Sequence, residues 1–181
     1  MSSKFIAAIL CSATLSAHAQ QPFSGMLPEG FRGVWVGTIV NEQVTRQYPS
    51  LLGPGSWEPD TRRLDISLVA GGYIVRWDSL AASDPSAALG LRESVIALND
   101  TRGLCRSVAS QLPRGSIDPR GLYLRSRGAY LNVGEQANFT YDICCYLTPN
   151  PRAMNCYGFG ANYLAGARWF DDRWNVVMSR Q

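Results

Sequence analysis

The chain has 181 residues, 46% of them hydrophobic and 17% charged, with a formal net charge of +3. That apolar content excludes a disordered tail, the length suits one domain with its own core, and the charge is too small and dispersed to argue for nucleic-acid binding. The single histidine is His18 and the single lysine is Lys4, so from residue 20 onward the chain has neither. This removes Ser-His-Asp and Cys-His catalysis, histidine-based zinc and haem sites, and Schiff-base or P-loop lysine chemistry.

Residues 1–19 read as a secretory signal peptide. Lys4 supplies the positive start, residues 5–15 form a short apolar run, and Ala17-His18-Ala19 is a small-x-small cleavage site. Cutting after Ala19 takes 19 of the 181 residues and leaves 162. The 17 basic residues become 16 against 14 acidic ones, a net +2. The apolar run is too short for a membrane-spanning helix, and no later segment approaches the ~20 apolar residues that a span requires. Leu10 before Cys11, with apolar residues after it, argues against a lipid anchor. The expected organisation is a signal peptide (1–19), an irregular lead-in (20–30) and one β-rich domain (31–181), secreted or periplasmic.

Residues 31–40 form the clearest strand, rich in β-branched and aromatic side chains. Residues 41–62, with Gly53-Pro54-Gly55-Ser56-Trp57 at their centre, read as a long loop. Leu64, Ile66 and Leu68 alternate, as do Tyr73, Val75 and Trp77, and a tight turn at Gly71-Gly72 joins the two runs as a hairpin. Residues 85–98 fit a short helix opened by Asp84-Pro85, with Ala88, Leu91, Val95 and Leu98 on one side. A strand within 91–98 fits equally. Leu104, Val108 and Leu112 carry the same ambiguity before Pro113. Residues 121–127 read as a strand after the turn Asp118-Pro119-Arg120-Gly121. Residues 139–147 alternate strongly, with Phe139, Tyr141, Ile143, Cys145 and Leu147 on one face and Thr140, Asp142 and Cys144 on the other. Two last runs, 162–170 and 173–180, are joined by an expected turn at Asp171-Asp172.

Many short strands, Gly/Pro turns and no βαβ rhythm predict an all-β fold, an antiparallel barrel or sandwich, with one short helix near 85–98. Within the first strand, Gly33-Val34-Trp35 resembles the G-x-W motif that opens the barrel of lipocalins and related calycins. The resemblance covers these three residues, the overall size and the strand order. It implies that Trp35 closes one end of a barrel under a basic residue from a late strand, with Arg168, Arg173 and Arg180 as candidates.

Four cysteines follow the signal peptide: Cys105, Cys144, Cys145 and Cys156. An exported chain favours disulfides over a four-thiolate zinc site, which adjacent cysteines and the lack of a C-x-x-C pair fit poorly. A hairpin turning about Asn150 within Thr148-Pro149-Asn150-Pro151-Arg152 sets Cys144 opposite Cys156. The expected bonds are therefore Cys144–Cys156 and Cys105–Cys145.

Glu58 and Asp60, beside Trp57, are the best carboxylate pair for glycan chemistry, since glycosidases flank the scissile bond with two acids. Two acids in a Pro/Gly loop are more often simply solvated. Trp169 and Trp174 bracket an acidic pair and suit either a ligand platform or the core. Arg120, Arg125 and Arg127 suit anion binding, although Arg125 and Arg127 also fit an ordinary half-exposed strand. Trp57, Trp169, Trp174, Arg125 and Arg127 are the candidate ligand contacts. No catalytic residue, metal site or cofactor is expected. The leading expectation is an exported, non-enzymatic binding protein for a small apolar molecule, or for a protein or peptide of the cell envelope or exterior, of the inhibitor or immunity type. A carboxylate-based glycan hydrolase and a small outer-membrane barrel are the alternatives. No nucleic-acid partner and no membrane span are expected.

Overall fold

The computed structural model describes residues 29–40, 42–47, 60–70, 72–79, 94–97, 100–132 and 135–181. The signal peptide, Trp57, Glu58 and most of 85–98 lie outside the described residues. After a 3-10 turn at Glu29–Phe31, the strands are β1 (Gly33–Ile39), β2 (Glu42–Gln47), β3 (Asp60–Val69), β4 (Gly72–Ser79), β5 (Ser94–Ala97), β6 (Leu122–Asn132), β7 (Glu135–Leu147), β8 (Ala153–Leu164) and β9 (Ala167–Arg180). The short helix α1 is Leu104–Ser110. Of the two readings of 85–98, the strand holds for Ser94–Ala97. At the second ambiguous stretch a helix forms.

The strands form one antiparallel sheet in the order β4-β3-β1-β9-β8-β7-β6-β5, nearly closed into a barrel. β1 and β2 pair with the two ends of β9 in turn, Trp35 opposite Arg180 and Glu42 opposite Trp174, so they act as one strand interrupted near residue 40. β2 and the start of β3 fall inside what the sequence reads as a long loop. The Pro/Gly cluster occupies less of that stretch than its composition suggests, because paired polar residues such as Glu42 and Gln43 carry no strong strand signal.

The expected turn at Asp171-Asp172 does not form. β9 runs through both residues, and the chain reverses at Ala165-Gly166, both with positive φ (48° and 79°). That conformation matches the twist of a two-residue hairpin. An acidic pair is a turn signal only when both residues face water. Here Asp171 pairs outward with Arg168 at 2.7 Å while Asp172 points into the barrel.

Alternation places one face of β1, β3, β4 and β6–β9 inside the barrel. The inner core contains Phe31, Trp35, Leu64, Ile66, Val75, Trp77, Leu124, Ile143, Met154, Trp174, Val176 and Met178. At the end where β1 begins and β9 finishes, here called the base, Trp35 is fully buried and its Nε1 donates to the Phe31 carbonyl at 2.9 Å. The Arg180 guanidinium lies 4.9 Å from the Trp35 ring centroid and donates to the Gly30 and Arg32 carbonyls. Gly33 adopts φ 129°, and a Cβ there would press on Arg180. Of the three candidate arginines, Arg180 covers the tryptophan.

Both disulfides form, but with different partners from those expected: Cys105–Cys144 and Cys145–Cys156. The hairpin is centred between Asn150 and Pro151 rather than on Asn150, with Leu147 opposite Met154 and Cys145 opposite Cys156. A one-residue change of partner reverses the face of every side chain. Cys145 and Cys156 therefore meet inside the barrel. Cys144 faces outward, where Cys105 on α1 packs with Val108, Tyr123 and Tyr146 in a second apolar cluster on the outer wall. Asp100 fixes the start of that helix by accepting from the Leu104 and Cys105 amides at 2.9 and 2.7 Å.

Candidate functional site

Toward the end opposite the base, the interior changes character. Its floor is aromatic. Trp77 and Trp174 stack with centroids 5.5 Å apart and planes at 16°, and Tyr141 tilts against Trp174 at 5.9 Å. Phe139 follows at 5.3 Å from Tyr141. Room for the Trp174 ring comes from Gly158 on the neighbouring strand, since a Cβ there would overlap the indole.

Above that floor lies a buried polar group. The Tyr141 hydroxyl donates to Asp172 Oδ2 at 2.7 Å and lies 3.5 Å from Glu42 Oε1. Asn162 Nδ2 donates to Asp172 Oδ2 at 3.4 Å. Strand pairing explains the convergence. Asp172 lies opposite Gly160 and Val44, Gly160 lies opposite Tyr141, and Glu42 lies opposite Trp174. Gly160 is needed there, because a Cβ would overlap both Asp172 and Tyr141. Burial, reinforced by the Asp172 and Glu42 carboxylates, pushes the Tyr141 hydroxyl well above its ordinary range. The phenol therefore stays protonated and serves as a donor.

Asp172 is only 3% exposed, yet its Oδ1 has no hydrogen-bond partner. A buried acceptor left unpaired costs about 1–3 kcal/mol, more when charged. Glu42 and Arg62, which face the same interior, make interactions of their own, although Arg62 Nε is likewise buried without a hydrogen-bond partner. The open acceptor thus belongs to Asp172.

A second polar cluster lies on the outer wall. Asp142 accepts from Arg125 at 2.8 and 2.9 Å, from the Tyr123 hydroxyl at 2.5 Å and from Arg102 at 2.6 Å. Burial alone would raise the Asp142 carboxyl. The Tyr123 hydroxyl with the Arg125 and Arg102 guanidinium groups outweighs it and holds the carboxyl below its usual range. Every group in this cluster is satisfied by another, which makes it a clamp between α1's approach and the barrel wall.

The structure separates the residues singled out from the sequence. Trp174 lies in the aromatic floor. Trp169 is buried, edge-on to Phe170 at 4.8 Å, and does not join the floor. Arg125 is engaged with Asp142, Arg127 lies on the outer face opposite Thr140, and Arg120 pairs with Asp118 at 2.5 Å. None of the three arginines shares a face with Trp174. Trp57 and Glu58 lie outside the described residues, and Asp60 opens β3 opposite Ile39. Sequence reasoning missed Asp172, Tyr141, Asn162 and Glu42 as a group. The available signal was small: the 139–147 alternation put Tyr141 inside, and two glycines at 158 and 160 pointed to something bulky beside them.

No family model matches the chain, and neither the curated proteins nor the solved structures yield a match.

Proposed function

We propose that this is an exported, non-enzymatic binding protein whose ligand enters the barrel interior and meets Asp172 above the Trp77–Trp174 floor. The observation that carries this reading is the unpaired Oδ1 of a buried aspartate. A protein tolerates an orphaned acceptor of this kind where a ligand supplies the missing donor. The two disulfides are compatible with a periplasmic or extracellular location. The Arg180–Trp35 arrangement at the base accords with the lipocalin resemblance of the G-x-W motif, and small-molecule binding inside the barrel accords with it too.

The distribution of polarity favours this over an outer-membrane barrel. Arg76, Arg125, Asp142 and Arg173 sit on outward-facing positions of β4, β6, β7 and β9, while the interior from the base to the Trp77–Trp174 floor is mostly apolar. A membrane barrel has the reverse arrangement. Catalysis has less support, because the domain lacks histidine and lysine.

The test is native mass spectrometry of the mature protein purified from its exported location, combined with the emission of Trp77 and Trp174. A co-purifying small molecule, whose removal shifts tryptophan emission, is the expected result. A protein that emerges empty, and whose emission no small-molecule probe moves, would overturn it.

A further inference from the structure

We propose that the interior site takes an organic cation, a primary ammonium joined to an aromatic or short apolar body. The inference rests on the reading of the interior as a ligand site. Asp172 offers one open carboxylate oxygen, and its other oxygen is already fixed by Tyr141 and Asn162. That division orients the open lone pairs. Glu42 adds a second carboxylate beside the same phenol.

The surroundings select the kind of cation. Tyr141 donates to the carboxylate, Trp174 and Phe139 pack against Tyr141, and Phe170 and Trp174 stand two residues either side of Asp172 on the same face of β9. Aromatic faces attract a desolvated ammonium and pack against an apolar body. A divalent metal fits poorly, since calcium needs six to eight oxygen ligands and magnesium a near-octahedral set, and one open oxygen among aromatics supplies neither. Arg62 shares the inner face of β3 with Leu64 and Ile66; it makes interactions of its own, and its Nε is a buried donor without a hydrogen-bond partner, so the comparison of amine with propanoate decides which of the two charges governs the ligand.

The experiment uses three probes of one shape: phenethylamine, phenethyl alcohol and 3-phenylpropanoate. Each is titrated into the mature protein and into Asp172→Asn, by calorimetry and by tryptophan emission. The amine should bind the native protein about ten-fold or more tighter than the alcohol, as expected for a charge-assisted hydrogen bond. Asp172→Asn should weaken the amine more than the alcohol and so remove that preference. A purely structural aspartate would not alter selectivity between probes. If the alcohol binds as well as the amine, or the propanoate binds best, the cation subsite is refuted while the interior binding site stands. If none of the three binds, the cation proposal falls, and the native mass spectrum decides the interior site by itself. Should Asp172→Asn not fold, the selectivity of the native protein decides the matter alone.

Discussion

Replacing Trp35 with alanine tests the most specific part of the architecture. The indole is fully buried, and three contacts hold it: the core around Phe31, the hydrogen bond from Nε1 to the Phe31 carbonyl, and the Arg180 guanidinium over its face. Removing a buried tryptophan costs about 3–5 kcal/mol through lost transfer energy and the cavity left behind. With a urea slope of roughly 2 kcal/mol per molar, the unfolding midpoint should fall by about 1.5–2.5 M. Trp35→Phe isolates the polar part. It keeps most of the apolar volume but takes the donor from the Phe31 carbonyl, which should cost about 1–3 kcal/mol. Arg180→Met should lose less, because Arg180 is exposed and a cation–π contact there is worth about 0.5–1 kcal/mol. In Trp35→Ala the Arg180→Met change should cost less still, since the ring it covers is gone. Equilibrium urea unfolding with disulfides intact gives all four values. A Trp35→Ala midpoint within about 0.5 M of the native one would refute this account of the base.

The two disulfides should contribute unequally. Chain-entropy reasoning gives about 4 kcal/mol for Cys105–Cys144, separated by 39 residues, and about 3 kcal/mol for Cys145–Cys156, separated by 11, before any cavity cost. In thiol titration, Cys105→Ala with Cys144→Ala should leave no free thiol, whereas Cys144→Ala with Cys156→Ala should leave two, because Cys105 and Cys145 lie on opposite faces of the wall. Asp142 should make stability depend on acid. Its folded pKa is lowered, so its contribution is present above the unfolded carboxyl pKa and is lost as pH falls through the folded one. Thermal midpoints of Asp142→Asn should therefore fall less between neutral and strongly acid pH than those of the native protein, and equal falls would count against the clamp. Gly158→Val should lower the thermal midpoint sharply by displacing Trp174, and an unchanged midpoint would show that the indole has another position.

The strands with strict alternation were legible. Residues 64–66, 73–77 and 139–147 announced their inner faces because a half-buried strand must alternate, although Leu68, which continues the face of Leu64 and Ile66, is exposed. What stayed hidden was register. The loop Thr148–Arg152 marks a turn, but not whether it centres on Asn150 or between Asn150 and Pro151, and that half-step decided both disulfides. The candidate site was illegible for a related reason. Asp172 is one of two adjacent acids, and composition treats both as solvated. Only the continuation of β9 past them sends one outward to Arg168 and the other inward to Tyr141.

The position of β9 has a kinetic consequence. This strand pairs with β1, β2 and β8. The barrel therefore cannot close until residues 167–180 are available, and the contacts that close it join segments more than a hundred residues apart. Such non-local pairing folds slowly.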